Sequence, residues 1–240
     1  MKNLLFLAVI LLAAATAFAG LTTSANPTGT SSATGSVSVS PLSKDALWVQ
    51  DPVGGGGGNA WCSEYIPNYA ITCYAADDFE LAFYAVIDGI DWYGGYWNGS
   101  GAFSSAYVLF FNDAGGVPET DPVYTYGPVA YGDCGETFEW SGPYGAVDSY
   151  SIASIDPFYV DPGTTYWVCV YVELNFPPQW GVYDSSEAWG SQIMQQSTYF
   201  FGDMNWHATG NGTSWAVTLN GTDLTGLQST SLGSVKALFN

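Results

Sequence analysis

From residue 79 onward the chain is a succession of short runs rich in aromatic and β-branched residues, each ended by Gly, Pro, Asn or Asp. Runs of this length and spacing are typical of strands in sandwiches and barrels. Residues 166–172 form the most continuous run, so we expect a central strand there, buried on both faces. The sequence therefore predicts an all-β fold, an antiparallel β-sandwich of jelly-roll type in a single domain.

Several short motifs between these runs predict turns. Proline fixes φ and glycine accepts positive φ, so Asp161-Pro162-Gly163 predicts a turn before the central strand. Residues 185–196 are the one segment whose pattern fits a helix, of one or two turns. Hairpin-type turns are expected at Asn98-Gly99, Asn211-Gly212 and Asn220-Gly221.

The first 19 residues have the pattern of a secretory signal peptide. Lys2 precedes an apolar run at 4–15, and Ala19 ends a small-x-small cleavage site. The run is too short to span a membrane, and no later stretch is long and apolar enough to do so. We therefore expect an exported, soluble protein that lies outside the cell or at its surface.

The remaining chain divides into a linker and a domain. Residues 20–43 are rich in Ser and Thr and contain no aromatic residue, which is typical of a linker. Residues 44–240 are expected to form the sandwich. The last segment, 232–240, fits either a final edge strand or a sorting tail, and these two interpretations stay open.

The charge balance excludes several partner classes. The chain has 22 acidic residues and three lysines, with a formal net charge of −19. Such a chain repels phosphate backbones, so nucleic acid is excluded as a partner. Anionic lipid surfaces are disfavoured for the same reason. Divalent cations and neutral polymers remain compatible, although the acidic residues also serve simply to keep an aromatic-rich protein soluble.

Four cysteines in an exported chain predict disulfides. Three pairings are possible, and we favour Cys62–Cys73, which closes a short loop, with Cys134–Cys169, which ties a loop to the central strand. Metal binding is the weaker interpretation, because no CxxC pair occurs and His207 is the only histidine.

The segment 88–99 reads DGIDWYGGYWNG and is rich in aromatic rings. Because side chains alternate across a strand, Ile90 and Trp92 share one face and are expected in the core. The glycines at 94–95 are expected to break or bulge the strand. Tyr96 and Trp97 would then lie exposed near a turn.

Exposed rings beside carboxylates suit sugar recognition, since a sugar ring stacks on an aromatic face and its hydroxyls donate to carboxylates. The alternative is that the aromatic stripe is core. A second aromatic cluster in the later third of the chain fits contact with a glycan or a protein; it comprises Trp180, Tyr183, Trp189, Tyr199, Trp206 and Trp215. The predicted ligand-binding residues are Asp91, Tyr96, Trp97, Trp180 and Trp206.

The loop after residue 111 is a candidate calcium site. Asn112, Asp113, Glu119 and Asp121 offer hard oxygen donors on a flexible turn, as calcium prefers. The adjacent pair at 77–78 is a second acidic candidate. Neither matches the spacing of an EF-hand, and Asn, Asp and Gly are also ordinary turn formers.

No catalytic residue is predicted. Glu139 and Glu173 lie on expected strands and would be the carboxylate pair of a jelly-roll glycoside hydrolase, the least favoured alternative. A serine nucleophile motif is absent, and His207 has no evident catalytic partner. The even number of cysteines argues against a free catalytic thiol.

Four motifs carry a resemblance to a known group of proteins. They are the Ala-Asp-Asp-Phe opening at 76–79, the aromatic-glycine segment at 90–97, the loop at 110–118 and the Pro-Gly-Thr-Thr-Tyr-Trp strand at 162–167. Over about residues 75–220 the chain resembles exported bacterial β-sandwich domains of the variable-anchor (choice-of-anchor-like) group. The resemblance implies a secreted or surface sandwich of mostly unassigned function, without catalytic residues. Its ending, LGSVKALFN, differs from the membrane anchor with a basic tail found in many members.

Two functional hypotheses follow. In the first, the chain is a secreted or surface module that binds carbohydrate or acts as an adhesin, with calcium as a possible support. In the second, it is a structural component of the cell surface or extracellular matrix that associates with copies of itself through aromatic patches and edge strands.

Overall fold

The alternating runs form strands in two sheets that pack face to face, so the predicted all-β sandwich is confirmed. The computed structural model describes residues 44–54 and 57–225. In chain order the described strands are β1 (Asp45–Gln50), β2 (Ala60–Cys62), β3 (Glu64–Ile66), β4 (Ile71–Glu80), β5 (Ala85–Trp97), β6 (Ser105–Asn112), β7 (Tyr124–Ala130), β8 (Thr137–Ser141), β9 (Ala146–Ile152), β10 (Phe158–Val160), β11 (Thr165–Glu173), β12 (Gln179–Tyr183), β13 (Met194–Ser197), β14 (His207–Ala208) and β15 (Val217–Asp223).

The first sheet is ordered β1-β15-β5-β12-β2, with β10 and β9 on the other edge of β5 and β8 beyond β9. The second sheet is ordered β14-β13-β4-β3-β11-β6-β7. The described strand pairs are antiparallel except β3 with β11. The predicted central strand is confirmed, because β11 pairs with β3 and β4 on one side and with β6 on the other.

Strand β5 organises the first sheet. It is 13 residues long and meets β15 and β12 in succession along one edge, and β10 and β9 along the other. The predicted break at Gly94 and Gly95 is wrong, because both glycines continue the strand and pair on both sides. A Cβ on Gly94 would collide with the ring of Trp180, and one on Gly95 with the carbonyl oxygen of Ala146. Glycine is therefore required there for close packing.

The core lies between the two sheets. Ile90 and Trp92 are completely buried in it, as predicted. Trp92 stacks on Tyr150 with ring centroids 5.4 Å apart, and such pairs contribute about 0.5–1.5 kcal/mol beyond area burial. A smaller apolar cluster around Trp167 covers the outer face of the second sheet.

Three of the predicted turns have the expected backbone. Gly163 has φ of 66°, and the amide of Thr164 donates to the carbonyl of Asp161 at 3.3 Å. Asn98 has φ of 60° directly after β5, and Gly212 has φ of 62° in the loop before β15. In each case the residue that accepts positive φ stands where the chain reverses or leaves a strand.

Two local predictions are wrong. Asn220 and Gly221 do not form a hairpin turn; they lie within β15, where the register shifts between them. Gly221 lies so close to the carbonyl of Val86 that a side chain would not fit. The segment 185–196 contains no helix, since it is a loop that leads into β13.

The four cysteines are buried free thiols, so neither predicted disulfide is formed in the structure. Cys73 is next to Cys62, and its Sγ donates to the Cys62 carbonyl at 3.1 Å. This pairing stays a prediction. Cys134 lies in the core between the sheets, whereas Cys169 lies in the cluster on the outer face of the second sheet. That separation argues against the Cys134–Cys169 pair.

The predicted signal peptide (1–19), linker (20–43) and terminal segment (232–240) lie outside the described residues, and the domain boundaries stay a prediction. Among the residues that the structure describes, no helix has the length and apolar character needed to cross a membrane.

A buried carboxyl group joins the two sheets. Glu64, on β3 of the second sheet, is 1% exposed and accepts a hydrogen bond of 2.6 Å from the amide of Trp180 on β12 of the first. Burial raises the pKa of Glu64 from its ordinary value near 4.5 to about 7. The folded state therefore holds this proton up to a higher pH than the unfolded chain does.

We expect the free energy of unfolding to fall as pH rises from about 4.5 to 7, with a contribution from Glu64 of up to about 3 kcal/mol. Glu64→Gln keeps an acceptor for the Trp180 amide but cannot ionise, so its unfolding free energy should fall less steeply over this window. Urea denaturation at a series of pH values measures both slopes. Glu80→Gln, at an exposed position on β4, should keep the wild-type slope; an unchanged slope in Glu64→Gln would contradict the interpretation.

Gly94→Ala should destabilise the fold by about 1–3 kcal/mol, because the added methyl group meets the Trp180 ring in a packed core. The matched control is Gly132→Ala, where the added Cβ has no atom within 4 Å. The control should change stability by less than about 0.5 kcal/mol. Equal unfolding midpoints for the two variants would show that the packing at Gly94 tolerates a side chain.

Candidate functional site

One buried carboxylate of this fold lacks the partners that the others have. The buried acidic residues of the described part are Glu64, Asp77, Asp78, Asp148 and Asp184. Backbone amides donate to four of them: Trp180 to Glu64 at 2.6 Å, Trp215 to Asp77 at 3.0 Å, Ser191 to Asp78 at 2.8 Å and Asn59 to Asp184 at 2.9 Å. The carboxylate of Asp148 accepts no hydrogen bond from any residue that the structure describes, although buried polar groups are normally paired.

The alternation of β9 explains where Asp148 lies. Asp148, Tyr150 and Ile152 share one face of the strand, and the last two belong to the core between the sheets. Asp148 is at the end of this face, where the core gives way to a cavity. Its partners in register are Gly94 on β5, which has no side chain, and Phe138 on β8.

Asp148 lines a cavity of about 300 Å³, which we call the acidic cleft. The turn at 98–101 that follows β5 forms one wall. Tyr131 and Glu136, from the segment between β7 and β8, line it as well. Tyr144, from the turn between β8 and β9, lies at the opening of the cleft. The cleft therefore brings two carboxylates and several phenol groups into one space.

Glu136 is held in place by two phenols. The hydroxyl of Tyr150 donates to its Oε1 at 3.0 Å, and the hydroxyl of Tyr131 donates to its Oε2. The hydrogen bond to Glu136 is the main reason that the pKa of Tyr131 is raised to about 12. Tyr131 therefore stays protonated at neutral pH and remains a donor.

The electrostatic environment of the acidic cleft is negative. Burial, followed by the charges of Glu136 and Glu139, raises the pKa of Asp148 to about 6. Lys44, the one lysine of the described residues, lies elsewhere and pairs with Asp88 at 3.1 Å. The part of the chain that the structure describes thus provides no cationic side chain to the cleft.

Tyr144 offers the accessible ring of this region. It is 55% exposed at the turn between β8 and β9, where the amide of Gly142 donates to the carbonyl of Gly145 at 2.7 Å. It borders both the acidic cleft and a smaller cavity of about 10 Å³ that Trp97 and Tyr183 line. A ring in this position can lie against a ligand that enters the cleft.

Two of the predicted ligand-binding residues lie near this site. Tyr96 forms part of the wall of the acidic cleft, and its hydroxyl accepts a hydrogen bond from the amide of Phe103 at 3.0 Å. Tyr96 is itself buried, so its ring does not offer an exposed face on which a sugar could stack. Trp97 is half-buried and lines the smaller cavity.

The other three predicted ligand-binding residues lie apart from the cleft. Trp180 has no exposed surface and packs in the core. Asp91 accepts a hydrogen bond from the side chain of Asn220 at 2.6 Å, on the β5–β15 pair. Trp206 packs against the outer cluster of the second sheet and donates to the carbonyl of Glu119 at 3.2 Å. The structure thus brings Trp206 to the predicted calcium loop and not to Tyr96.

The predicted calcium loop is largely satisfied by its own hydrogen bonds. Asp113 accepts from two glycine amides of the loop, at 2.9–3.1 Å, and from the indole of Trp167 at 2.9 Å. Asn112 donates to Glu119 at 3.1 Å, and Asp121 is exposed. In the described ranges no group of three or more His, Cys, Asp or Glu side chains is arranged to hold a metal ion. Calcium at this loop stays a prediction.

The two carboxylates considered for hydrolysis are on different sheets. Glu139 is on β8 of the first sheet and Glu173 is on β11 of the second. Neither lines the acidic cleft. Of the residues that do line it, Tyr96 was predicted from the sequence, whereas Asp148 and Glu136 were not. The available signal was an acidic residue in period-two alternation with Tyr150 and Ile152, on a face that is otherwise apolar.

Comparison with known proteins adds no assignment: no protein-family model, no curated protein and no solved structure matches this chain.

Proposed function

We propose that the chain is a secreted or cell-surface, non-catalytic β-sandwich module that binds a neutral carbohydrate in the acidic cleft. The observation that carries this proposal is Asp148, a buried carboxylate without a hydrogen-bond donor from the described residues, which lines an accessible cavity. A ligand rich in hydroxyl groups supplies the donors that the protein does not.

The groups around Asp148 fit both the hydroxyl groups and the apolar C–H face of a sugar. Hydroxyl groups of the ligand donate to Asp148 and to the free lone pairs of Glu136, since each carboxylate has about four acceptor positions. The exposed ring of Tyr144 at the rim supplies a face for the C–H surface of the sugar ring. Asn98, in the turn at the edge of the cleft, adds an amide oxygen that accepts, while its Nδ2 donates to Gln179 at 2.5 Å.

The charge of the cleft selects the class of carbohydrate. Asp148 and Glu136 would repel uronic acids, sulfated sugars and phosphorylated polymers, and no lysine or arginine of the described residues compensates for them. Neutral hexose or pentose polymers carry no such penalty. We therefore expect uncharged glycans to be bound and anionic ones to be rejected.

Binding of neutral glycans to the mature chain, measured on a polysaccharide and glycan array and then by calorimetry, should weaken in Tyr144→Ala. Loss of one stacked ring corresponds to about 1 kcal/mol, or roughly a fivefold higher Kd. Asp148→Asn should weaken binding as well, because an amide replaces an acceptor-only group.

Tyr159→Ala is the matched control, since Tyr159 is 69% exposed on β10 and does not line the cleft. Its affinity should equal that of the wild type. If the wild type binds no glycan on the array, carbohydrate binding is rejected. Release of new reducing ends from a bound glycan would contradict the non-catalytic part of the proposal.

A second candidate function is self-association, and a specific surface favours it. After β13 the loop carries four exposed apolar side chains, at 66%, 49%, 39% and 41% exposure. They are Tyr199, Phe200, Phe201 and Met204. The loop precedes β14, the short strand at the edge of the second sheet, whose outer side has no partner among the described strands. Exposed apolar patches beside an open edge are typical of contacts between protein chains.

If this loop mediates assembly, the mature chain should associate with itself in a concentration-dependent way. Sedimentation velocity over a wide range of concentrations measures the association. Phe200→Ser should shift the equilibrium toward monomer, whereas Tyr159→Ser, at another exposed aromatic position, should not. A wild-type chain that remains monomeric at the highest concentration would reject self-association.

A further inference from the structure

Asp148 combines burial with a lack of compensation. Only 7% of the residue is exposed, and no donor among the described residues reaches its carboxylate. The four other buried carboxylates each accept a backbone amide, so the fold does supply donors where they are needed for stability. The missing partner of Asp148 therefore has to come from the solvent or from a ligand.

The surroundings of Asp148 are of like charge or neutral. Glu136 and Glu139 act on it as negative charges, and Gly94 lies opposite it on β5 without a side chain. The titratable groups near it on the packed elements are Tyr96 on β5, Tyr131 and Glu136 before β8, Glu139 on β8 and Tyr150 on β9. Repulsion between neighbouring carboxylates is relieved when one of them takes up a proton or when a cation binds between them.

The oxygen donors of the cleft suit calcium better than magnesium or zinc. Asp148 and Glu136 are hard carboxylate ligands, and phenol hydroxyls, the Asn98 carbonyl and water are the other oxygens nearby. Calcium accepts six to eight oxygens, water included, in irregular geometry, whereas magnesium demands a regular octahedron. Zinc prefers nitrogen and sulfur, which the cleft lining does not offer.

We propose that the acidic cleft binds a calcium ion, with the carboxylates of Asp148 and Glu136 as the protein ligands. No group of three acidic, histidine or cysteine side chains in the described residues is arranged around a metal position, so water or a bound ligand fills the remaining positions. Affinity in the range of extracellular calcium modules, about 10⁻⁴–10⁻³ M, fits so few protein ligands. The inference rests on the proposed function in that it concerns the same cleft, and sugar hydroxyls are themselves oxygen ligands for the open positions.

Terbium(III) is the probe for this site, because it replaces calcium and its luminescence is excited by nearby tyrosines such as Tyr131, Tyr144 and Tyr150. The mature wild-type chain should give sensitised emission at pH 7.5, and added calcium should displace it. Asp148→Asn and Glu136→Gln should each lose the displaceable emission. Asp113→Asn, in the loop at 112–121, is the matched control and should keep it.

The pH dependence gives a second readout. Because protons compete with the metal ion for the Asp148 carboxylate, displaceable emission should fall as the pH is lowered. Thermal unfolding in EDTA verifies the fold of the variants. Asp148→Asn should be at least as stable as the wild type at pH 8, since it removes a buried charge, and calcium should raise the Tm of the wild type but not of this variant.

Equal calcium-displaceable emission from the wild type and a folded Asp148→Asn variant would overturn the proposal, as would loss of that emission in Asp113→Asn alone. The outcome is separate from that of the glycan assay. Calcium binding without glycan binding would keep this inference and reject the proposed function. Glycan binding that is unchanged by EDTA, with no displaceable terbium emission, would keep the proposed function and reject calcium.

Discussion

The close contact of β5 with its neighbours is the constraint on which the rest of the first sheet depends. One strand pairs with β15, β12, β10 and β9, so it joins parts of the chain that are distant in sequence. At Gly94 and Gly95 the absence of Cβ lets the Trp180 ring and the β9 backbone approach. Side chains at these two positions would separate β5 from both β12 and β9, and the tryptophan core would lose its contact surface.

The same contact also produces the candidate site. Gly94 is the register partner of Asp148, so β5 presents no side chain to that carboxylate. Tyr150, two residues further along β9, packs edge-to-face against Trp180 and donates its hydroxyl to Glu136. A glycine that is needed for packing therefore leaves a carboxylate at the end of the core without a side-chain partner on β5. The packing of β5 and the candidate site therefore depend on the same local geometry.

The sequence was sufficient for the strands whose pattern has a single physical meaning. The unbroken apolar run of β11 fits only a strand buried on both faces, and the Asp161-Pro162-Gly163 turn follows from fixed backbone preferences. Glycines inside β5 and β15 were misinterpreted, because glycine serves equally to end a strand and to allow another backbone close to it. Only the neighbouring strands decide between these roles, and they are distant in sequence.

The candidate site was harder to predict for a related reason. The aromatic pattern predicts Trp180 as a binding residue, yet Trp180 lies in the core, and the cleft is lined by residues from three separate segments. What distinguishes Asp148 from Asp77 is not its residue type but the backbone amide that Asp77 has and Asp148 lacks. That difference arises from strand pairing. In a chain with 22 acidic residues, the carboxylate that we propose for binding is the buried one that the fold leaves without a donor.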